Sequence, residues 1–351
     1  MNPTKVSIVL LNWNGKYWLE KFLPSIITNS VGSKIVVADN GSTDDSIAWL
    51  KDNYPAIEIF KLKKNFGYAG GYAIVLKEIK TKYCILMNTD IEPAEGWLEP
   101  LLNMMEKDEA IAALQPKILS YQNKEKFDYA GAAGGFIDLL GIPFCRGRIL
   151  DVLEVDNGQY DDDKEIFWAS GACLMVRMND YHFVGGLDKD YFAHMEEIDL
   201  CWRFHRAKKK VMYCGKSIVF HVNGGTLRSG SPKKHYLNFR NSLYTLFKNL
   251  PPKKLFVTIF LRLVQDGLAG LKMVLKGDVT MLWLIFKAHI SFYLHIPDLL
   301  KKRKACKLPY ENEQIANLTL QKNIIWLRYF KKYKTFKEIE KIWRSELRYN
   351  V

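Results

Sequence analysis

The feature that most constrains this chain is a repeated alternation. Short apolar runs, each ending in polar residues, are separated by stretches with helical spacing. Val6–Asn12, Lys34–Asp39, residues 57–62 and Tyr83–Met87 read as strands, with helices between them at 17–28, 44–53 and 70–79. A continuous apolar run suits a strand covered on both faces of a parallel sheet. Strands alternating with helices at this pitch imply right-handed crossovers and an open α/β sheet, whose ligands collect at the carboxyl ends of the strands.

Those ends are polar. The first run finishes in Asn12-Trp13-Asn14-Gly15, the second in Asp39-Asn40-Gly41-Ser42-Thr43-Asp44 and the fourth in Asn88-Thr89-Asp90, where one pocket would gather them. Asn40 to Asp44 serve equally as a turn with a helix cap, whereas Asp39 stands directly on the strand end. Asn65-Phe-Gly67-Tyr-Ala-Gly70-Gly71 opens a helix, and glycine there lets a ligand approach the backbone at a phosphate-attracting N-terminus. The spacing fits neither G-x-G-x-x-G nor G-x-x-x-x-G-K-[ST]. Further along, Glu196-Glu197-Ile198-Asp199 follows a strand-like Tyr191-Phe192-Ala193 and starts an amphipathic helix, while His221 ends an apolar run. Gly171 and Ala172, between apolar flanks, would permit either close ligand approach or tight strand packing.

Composition removes other classes. Of 351 residues, 48% are hydrophobic and 25% charged, which excludes a disordered or collagen-like chain. The six cysteines stand singly without ligand spacing and read as buried hydrophobes in a reducing compartment. Met1 to Lys5 lead straight into a strand too short for a signal peptide or a membrane span, so a cytoplasmic protein is expected. The net charge of +13 is lopsided: residues 231–351 hold 24 Lys+Arg against 8 Asp+Glu, so a near-neutral body carries a basic C-terminal third.

The ordered set resembles family 2 glycosyltransferases. It comprises the Val6–Asn12 run, Ala38-Asp39-Asn-Gly-Ser-Thr-Asp44, Asn65-x-Gly67-x-x-Gly70-Gly71, Met87-Asn-Thr-Asp90, Gly185-Gly-Leu-Asp188, Glu196-Glu-Ile-Asp-Leu-Cys-Trp-Arg203, His221-Val and Phe239-Arg-Asn241. It is most similar to the rhamnosyltransferase-like branch that builds bacterial surface polysaccharides. The resemblance implies a GT-A fold, an open mixed sheet flanked by helices over residues 1–250, with a nucleotide-sugar half at 1–115 and an acceptor half at 116–250. Residues 251–351 would form a basic amphipathic helical extension. It also implies a nucleoside-diphosphate sugar donor, a divalent cation (Mg²⁺ or Mn²⁺) and inversion at the anomeric carbon.

By the same resemblance Asp39 contacts the nucleotide base, beside Asn12 and Asn14. Asn65, Gly67, Gly70, Asn88, Gly171 and Arg240 serve the donor. Asp90 matches the final carboxylate of a metal-binding D-x-D motif whose first position here is Asn88, and His221 lies near the diphosphate or metal. A hard cation on oxygen ligands suits the charge that builds on a departing diphosphate. An inverting displacement also needs one base for the acceptor hydroxyl. The family motif places it at Glu197, where glutamate replaces aspartate, and Glu196 or Asp199 could take the role.

In the basic third, residues 255–276 put Arg262, Gln265, Asp266, Lys272 and Lys276 on about a third of a helical wheel. Residues 279–297 are apolar, but Lys287, His289 and His295 argue against a span, and Lys301-Lys-Arg-Lys304 follows. Apolar faces flanked by lysines describe peripheral contact with the inner face of the cell membrane through 251–304. The plainer reading is a hairpin packed on the catalytic domain or in a homodimer. The resemblance favours the membrane, since many relatives extend saccharides on polyprenyl-diphosphate carriers; a free saccharide is the other acceptor class. Nucleic acid is excluded, because the basic residues accompany aliphatic helices without an aromatic platform. The competing readings are a nucleotidyltransferase, which lacks its basic Gly-rich loop here, and a catalytically inactive sugar-binding or assembly subunit.

Overall fold

The computed structural model describes residues 4–222 and 230–349; Asn223-Gly-Gly225, just after His221, lie outside the described residues. The first half runs β1 (Val6–Asn12), α1 (Lys16–Asn29), β2 (Lys34–Asp39), α2 (Ser46–Asn53), β3 (Glu58–Lys61), α3 (Gly67–Val75), β4 (Tyr83–Met87), β5 (Ile91–Pro93), α4 (Leu98–Lys107) and β6 (Ile111–Ser120). Short strands follow: β7 (Gly135–Asp138), β8 (Pro143–Cys145), β9 (Arg148–Ile149), β10 (Val152–Leu153) and β11 (Lys164–Glu165). Then come β12 (Cys173–Arg177), α5 (Met178–Phe183), a 3₁₀ turn (Lys189–Tyr191), α6 (Glu196–Arg206), β13 (Lys210–His221) and α7 (Pro232–Asn249). The chain ends in α8 (Pro252–Val274), α9 (Val279–Ala305), α10 (Glu313–Asn317), β14 (Thr319–Leu320), α11 (Ile324–Tyr329) and α12 (Phe336–Tyr349).

The main sheet is mixed, in the order β11-β13-β6-β12-β4-β1-β2-β3, with β5 paired to β13. β1 lies between β2 and β4, parallel to both, so that Leu10 faces Val37 and Met87. β12 runs antiparallel to β4 and β6, and β13 runs parallel to β6. The carboxyl ends of β1, β2, β4 and β13 therefore share one edge with the start of β12. The period of two sorts the apolar run of β1: Val6, Ile8 and Leu10 pack with Leu19, Phe22 and Ile26 of α1, while Val9 joins Ala69, Tyr72 and Val75 of α3 on the other face. Burial on both faces is why these strands are apolar without alternation.

Four expectations change. Helix α3 starts at Gly67 rather than at residue 70. Residues 191–193 are not strand-like: Tyr191 closes the 3₁₀ turn and Phe192 has φ +65°. The division at 115/116 falls inside β6, so the two halves share one sheet. The C-terminal stretch is not only helical, since β14 pairs with β7 in a second sheet. Phe336 and Trp343 pack 5.3 and 5.2 Å from Phe136, completing the same core.

Helices α8 and α9 form a hairpin whose polar side faces inward. Arg262 (4% exposed) donates to Asp266 (3%) at 2.8 Å, its Nη1 meets the Leu140 carbonyl at 3.3 Å, and His289 lies 3.4 Å from the same aspartate. Phe256 (81%), Trp283 (61%) and Leu294 (73%) point outward. The 301–304 cluster is split as well. Lys302 pairs with Asp188 and Asp190, both at 2.6 Å, and Arg303 donates to the Phe247 carbonyl, so these two clamp the hairpin to the body while Lys301 and Lys304 stay exposed. Carboxylates on the turn before α6 outcompete water for Lys302, and a backbone carbonyl of α7 takes Arg303.

Candidate active site

The ends of β1 and β2 are stitched by side chains. Asn12 Nδ2 reaches Asp39 Oδ1 at 3.4 Å, Ser42 Oγ at 3.2 Å and Ser46 Oγ at 2.9 Å. Asn14, at φ +52°, accepts the backbone N–H of Thr43 at 2.7 Å and of Asp44 at 3.3 Å. These bonds fix the loop around Asp39, whose carboxylate sits at the carboxyl edge of the sheet. The turn into α3 joins them: Asn40 accepts from Phe66 N–H and donates to the Gly67 carbonyl, while Asn65 Oδ1 accepts the Gly67 N–H at 2.8 Å. Gly67 has φ +75°, and a Cβ there would lie 2.3 Å from the Phe192 carbonyl oxygen, so no other residue fits. Gly70 is buried one turn further into α3.

At the end of β4, Asn88 binds the Ala172 carbonyl through its N–H, and its side-chain amide lies 3.5 Å from His221 Nε2. Asp90 Oδ1 lies 3.3 Å from that nitrogen, and Asp128 Oδ1 lies 2.9 Å from Nδ1 on the other side of the ring. Burial works against a charged imidazole, yet the two carboxylates raise the His221 pKa to about 10; a cation at Nε2 would have to displace the proton there. The donor set fits a hard cation. Two cis ligands of an octahedral ion with bonds of about 2.1 Å stand about 3 Å apart, close to the Asp90–His221 spacing. A carboxylate on the remote ring nitrogen is the usual partner of a metal-binding histidine. Among the described residues no cluster of three or more His, Cys, Asp or Glu side chains forms a complete cage, so further ligands would have to come from the bound substrate.

Across the edge, residues 192–195 carry three left-handed residues, Phe192, His194 and Met195, immediately before Glu196. Asn241 of α7 holds this turn by donating to the carbonyls of Tyr191, Ala193 and His194 at 2.7–2.9 Å. Arg240 donates to the carbonyls of Asp190 and Tyr191, so its observed bonds support the turn. The turn delivers Glu196 and Glu197 to the N-terminus of α6. Glu196 is buried and Glu197 half-buried, and among the described residues one carboxylate oxygen of each has no hydrogen-bond partner. Burial raises both, Glu196 further because Glu197 lies beside it; Glu197, held back by backbone N–H groups, reaches about 7. Tyr68 joins this cluster and donates to the Gly171 carbonyl at 2.5 Å. Asp199 does not: fully buried, it binds Arg203, Lys248 and Asn249, each at 2.8 Å. It is therefore removed as a base, because its oxygens are committed to two cations and an amide.

The sequence reading missed Asp128 and Asn241's clamp, as well as a cationic pair. Arg148 is 6% exposed and stacks 4.2 Å from the Tyr129 ring centroid. Burial and Arg148 hold the Lys234 ammonium below its usual range, while Asp128 opposes them. A signal existed for Asp128, a lone acid entering the small-residue run 130–135.

The fold is that of the GT-A glycosyltransferases. Residues 7–166 match the family described as Glycosyl transferase family 2. It is 25% identical over 256 residues, 68% of this chain and 82% of the relative, to the N-acetylglucosaminyl-diphospho-decaprenol L-rhamnosyltransferase of Mycobacterium tuberculosis. It is 23% identical to the rhamnosyltransferase WbbL of Escherichia coli, over 71% and 94% of the two chains. Among solved structures, GalNAc-T7 with UDP, GalNAc and Mn²⁺ superposes with a TM-score of 0.58 at 16% identity, over 97% of this chain and 56% of that longer one. Residues 1–349 of TarS from S. aureus give 0.53 at 11% identity, over 85% and 83%.

Proposed function

We propose that the protein is an inverting, cation-dependent glycosyltransferase that moves a sugar from a nucleoside-diphosphate donor to a lipid-linked saccharide in bacterial surface polysaccharide synthesis. The observation that carries this reading is a pairing across one sheet edge. The Asp90–His221 pair, backed by Asp128 on the remote ring nitrogen, stands opposite a half-buried carboxylate, Glu197, whose pKa of about 7 suits a base near neutrality. Asp90 and His221 would hold Mg²⁺ or Mn²⁺, which when bound would neutralise the charge developing on the departing diphosphate. Asp39, Asn12 and Asn14 position the nucleoside. The Asn65–Gly67 turn, Gly70, Gly171 and Asn88 bound the diphosphate and sugar. Glu197 takes the proton of the acceptor hydroxyl, and the Asn241 clamp fixes where Glu197 stands. Calorimetry with UDP, GDP and dTDP in Mn²⁺ tests the donor half: Asp90→Ala should abolish cation-dependent nucleotide affinity, and unchanged affinity would refute it.

The enzyme is proposed to work peripherally on the inner face of the cell membrane. The outward apolar side of α8 and α9, with exposed Lys253, Lys276 and Lys301 around it, supports this reading. Helix α9 is long and apolar enough to cross a bilayer, yet Ile285, Ala288, Phe292 and Leu299 are buried in the protein, which favours lying on the surface.

A further inference from the structure

A groove of about 480 Å³ runs between the first half of α7 and α9, beside the left-handed turn that leads into Glu196. Its walls are Phe192, Leu237, Leu284 and Tyr236, and its charged groups are Lys233, Arg240 and Lys287; none of its lining residues is acidic. Lys233 Nζ sits 4.1 Å from the Phe192 ring centroid, and Lys287 Nζ 5.5 Å from that of Tyr236. Among the described residues neither lysine has a carboxylate partner, whereas Lys302 on the same helix has two. One end of the groove is Phe192, whose carbonyl also receives the Ala69 N–H of the donor-side helix. At the other end, Lys287 is one helical turn from both Leu284 and Trp283, and Trp283 stacks 5.6 Å from Phe286 on the exposed apolar side of the hairpin. A path lined by apolar side chains and uncompensated cations thus joins the catalytic turn to the apolar surface.

We propose that this groove receives the diphosphate and first isoprenoid units of the lipid that carries the acceptor saccharide. The proposal rests on the lipid-linked reading above and gives it a place on this chain. A diphosphate diester is anionic at neutral pH and would supply the charge that Lys233, Arg240 and Lys287 lack. Its apolar chain would continue past Leu284 and Trp283 toward the membrane, and the saccharide at the opposite end would lie at the Phe192–Glu197 turn.

The test is calorimetric, on the full chain, with Mn²⁺ and a saturating nucleoside diphosphate filling the donor site. Farnesyl diphosphate, inorganic diphosphate and farnesol are compared as the whole amphiphile, the head alone and the tail alone. Farnesyl diphosphate is expected to bind at least tenfold more tightly than either half. The double variant Lys233→Ala, Lys287→Ala and the groove-filling Leu284→Trp should each weaken it at least tenfold. Leu284→Trp should still co-sediment with anionic vesicles as the parent does. Equal farnesyl diphosphate affinity in parent and variants would overturn the proposal. Inorganic diphosphate binding as tightly as farnesyl diphosphate would mean a free phosphate ligand, and vesicle binding lost in step would mean a patch of membrane surface; either overturns it too. If no nucleotide binds in Mn²⁺, it is the donor reading that fails, and farnesyl diphosphate still decides the groove without it.

Discussion

In the sheet, apolar side chains fill the interior and most polar ones stand at the strand ends, with Ser7, Gln115, Lys117 and Ser217 buried within strands. In the α8–α9 hairpin Arg262 and Asp266 are buried beside Ile285 and Phe292, while fifteen large apolar side chains of the two helices are exposed. Both regions are amphipathic, so the difference lies in what each side faces. A soluble monomer rarely leaves a contiguous apolar patch beyond a few hundred Å² in water, and a larger one marks a contact surface. The sheet edge is shaped for a polar ligand; the hairpin is shaped to be covered by something apolar. That contrast explains why the basic third is tied to the body by Lys302 and Arg303 while its outer side has no protein against it among the described residues.

The sharpest way to break the contrast is to attack the hairpin's polar interior. Asp266→Ala leaves Arg262 buried without its carboxylate and should cost about 3–5 kcal/mol of stability by denaturant titration. A loss below about 1 kcal/mol would mean that the inward polar side is incidental. At the sheet edge, Asp128→Asn removes the charge behind His221 and should weaken cation-dependent nucleotide binding about 10–100-fold in calorimetry, with the melting temperature as a check on folding. An unchanged constant would detach Asp128 from the site. The smallest effect on stability is expected on the outer face. Phe256→Ser, Trp283→Ser and Leu294→Ser should each stay within about 0.5 kcal/mol in solution, while together they reduce pelleting with anionic vesicles. Melting that drops steeply would show these side chains to be packed, not exposed.

Much of this was legible in the chain. Continuous apolar runs ending in Asn12, Asp39 and Asn88 marked the strands and their carboxyl edge, because strands buried on both faces hold few polar groups along their length. The 192–195 turn was not legible. Tyr191-Phe192-Ala193 looks extended by residue type, and bonds to its carbonyls from distant residues, Asn241 and Arg240 fifty positions on and Ala69 far upstream, hold the left-handed turn there. Asp199 looked like a base because its partners Lys248 and Asn249 are equally distant in sequence. The inward turn of Arg262 and Asp266 was hidden for a related reason: a helical wheel shows that two faces differ but not which one meets the protein.

The central claim is that Glu197 is the base of a sugar transfer at this edge. It is tested most directly by turnover with a lipid-linked acceptor in vesicles, Mn²⁺ and the donor selected by nucleotide binding, measured from pH 5 to 9. A base must be ionised to accept a proton, so with its pKa near 7 the parent's kcat/KM should fall as pH drops below about 7. Glu197→Gln should bind the donor as the parent does, turn over about 10² to 10⁴ times more slowly and lose that acid limb. Near-parental turnover in Glu197→Gln, or the same acid limb surviving in it, would contradict the account.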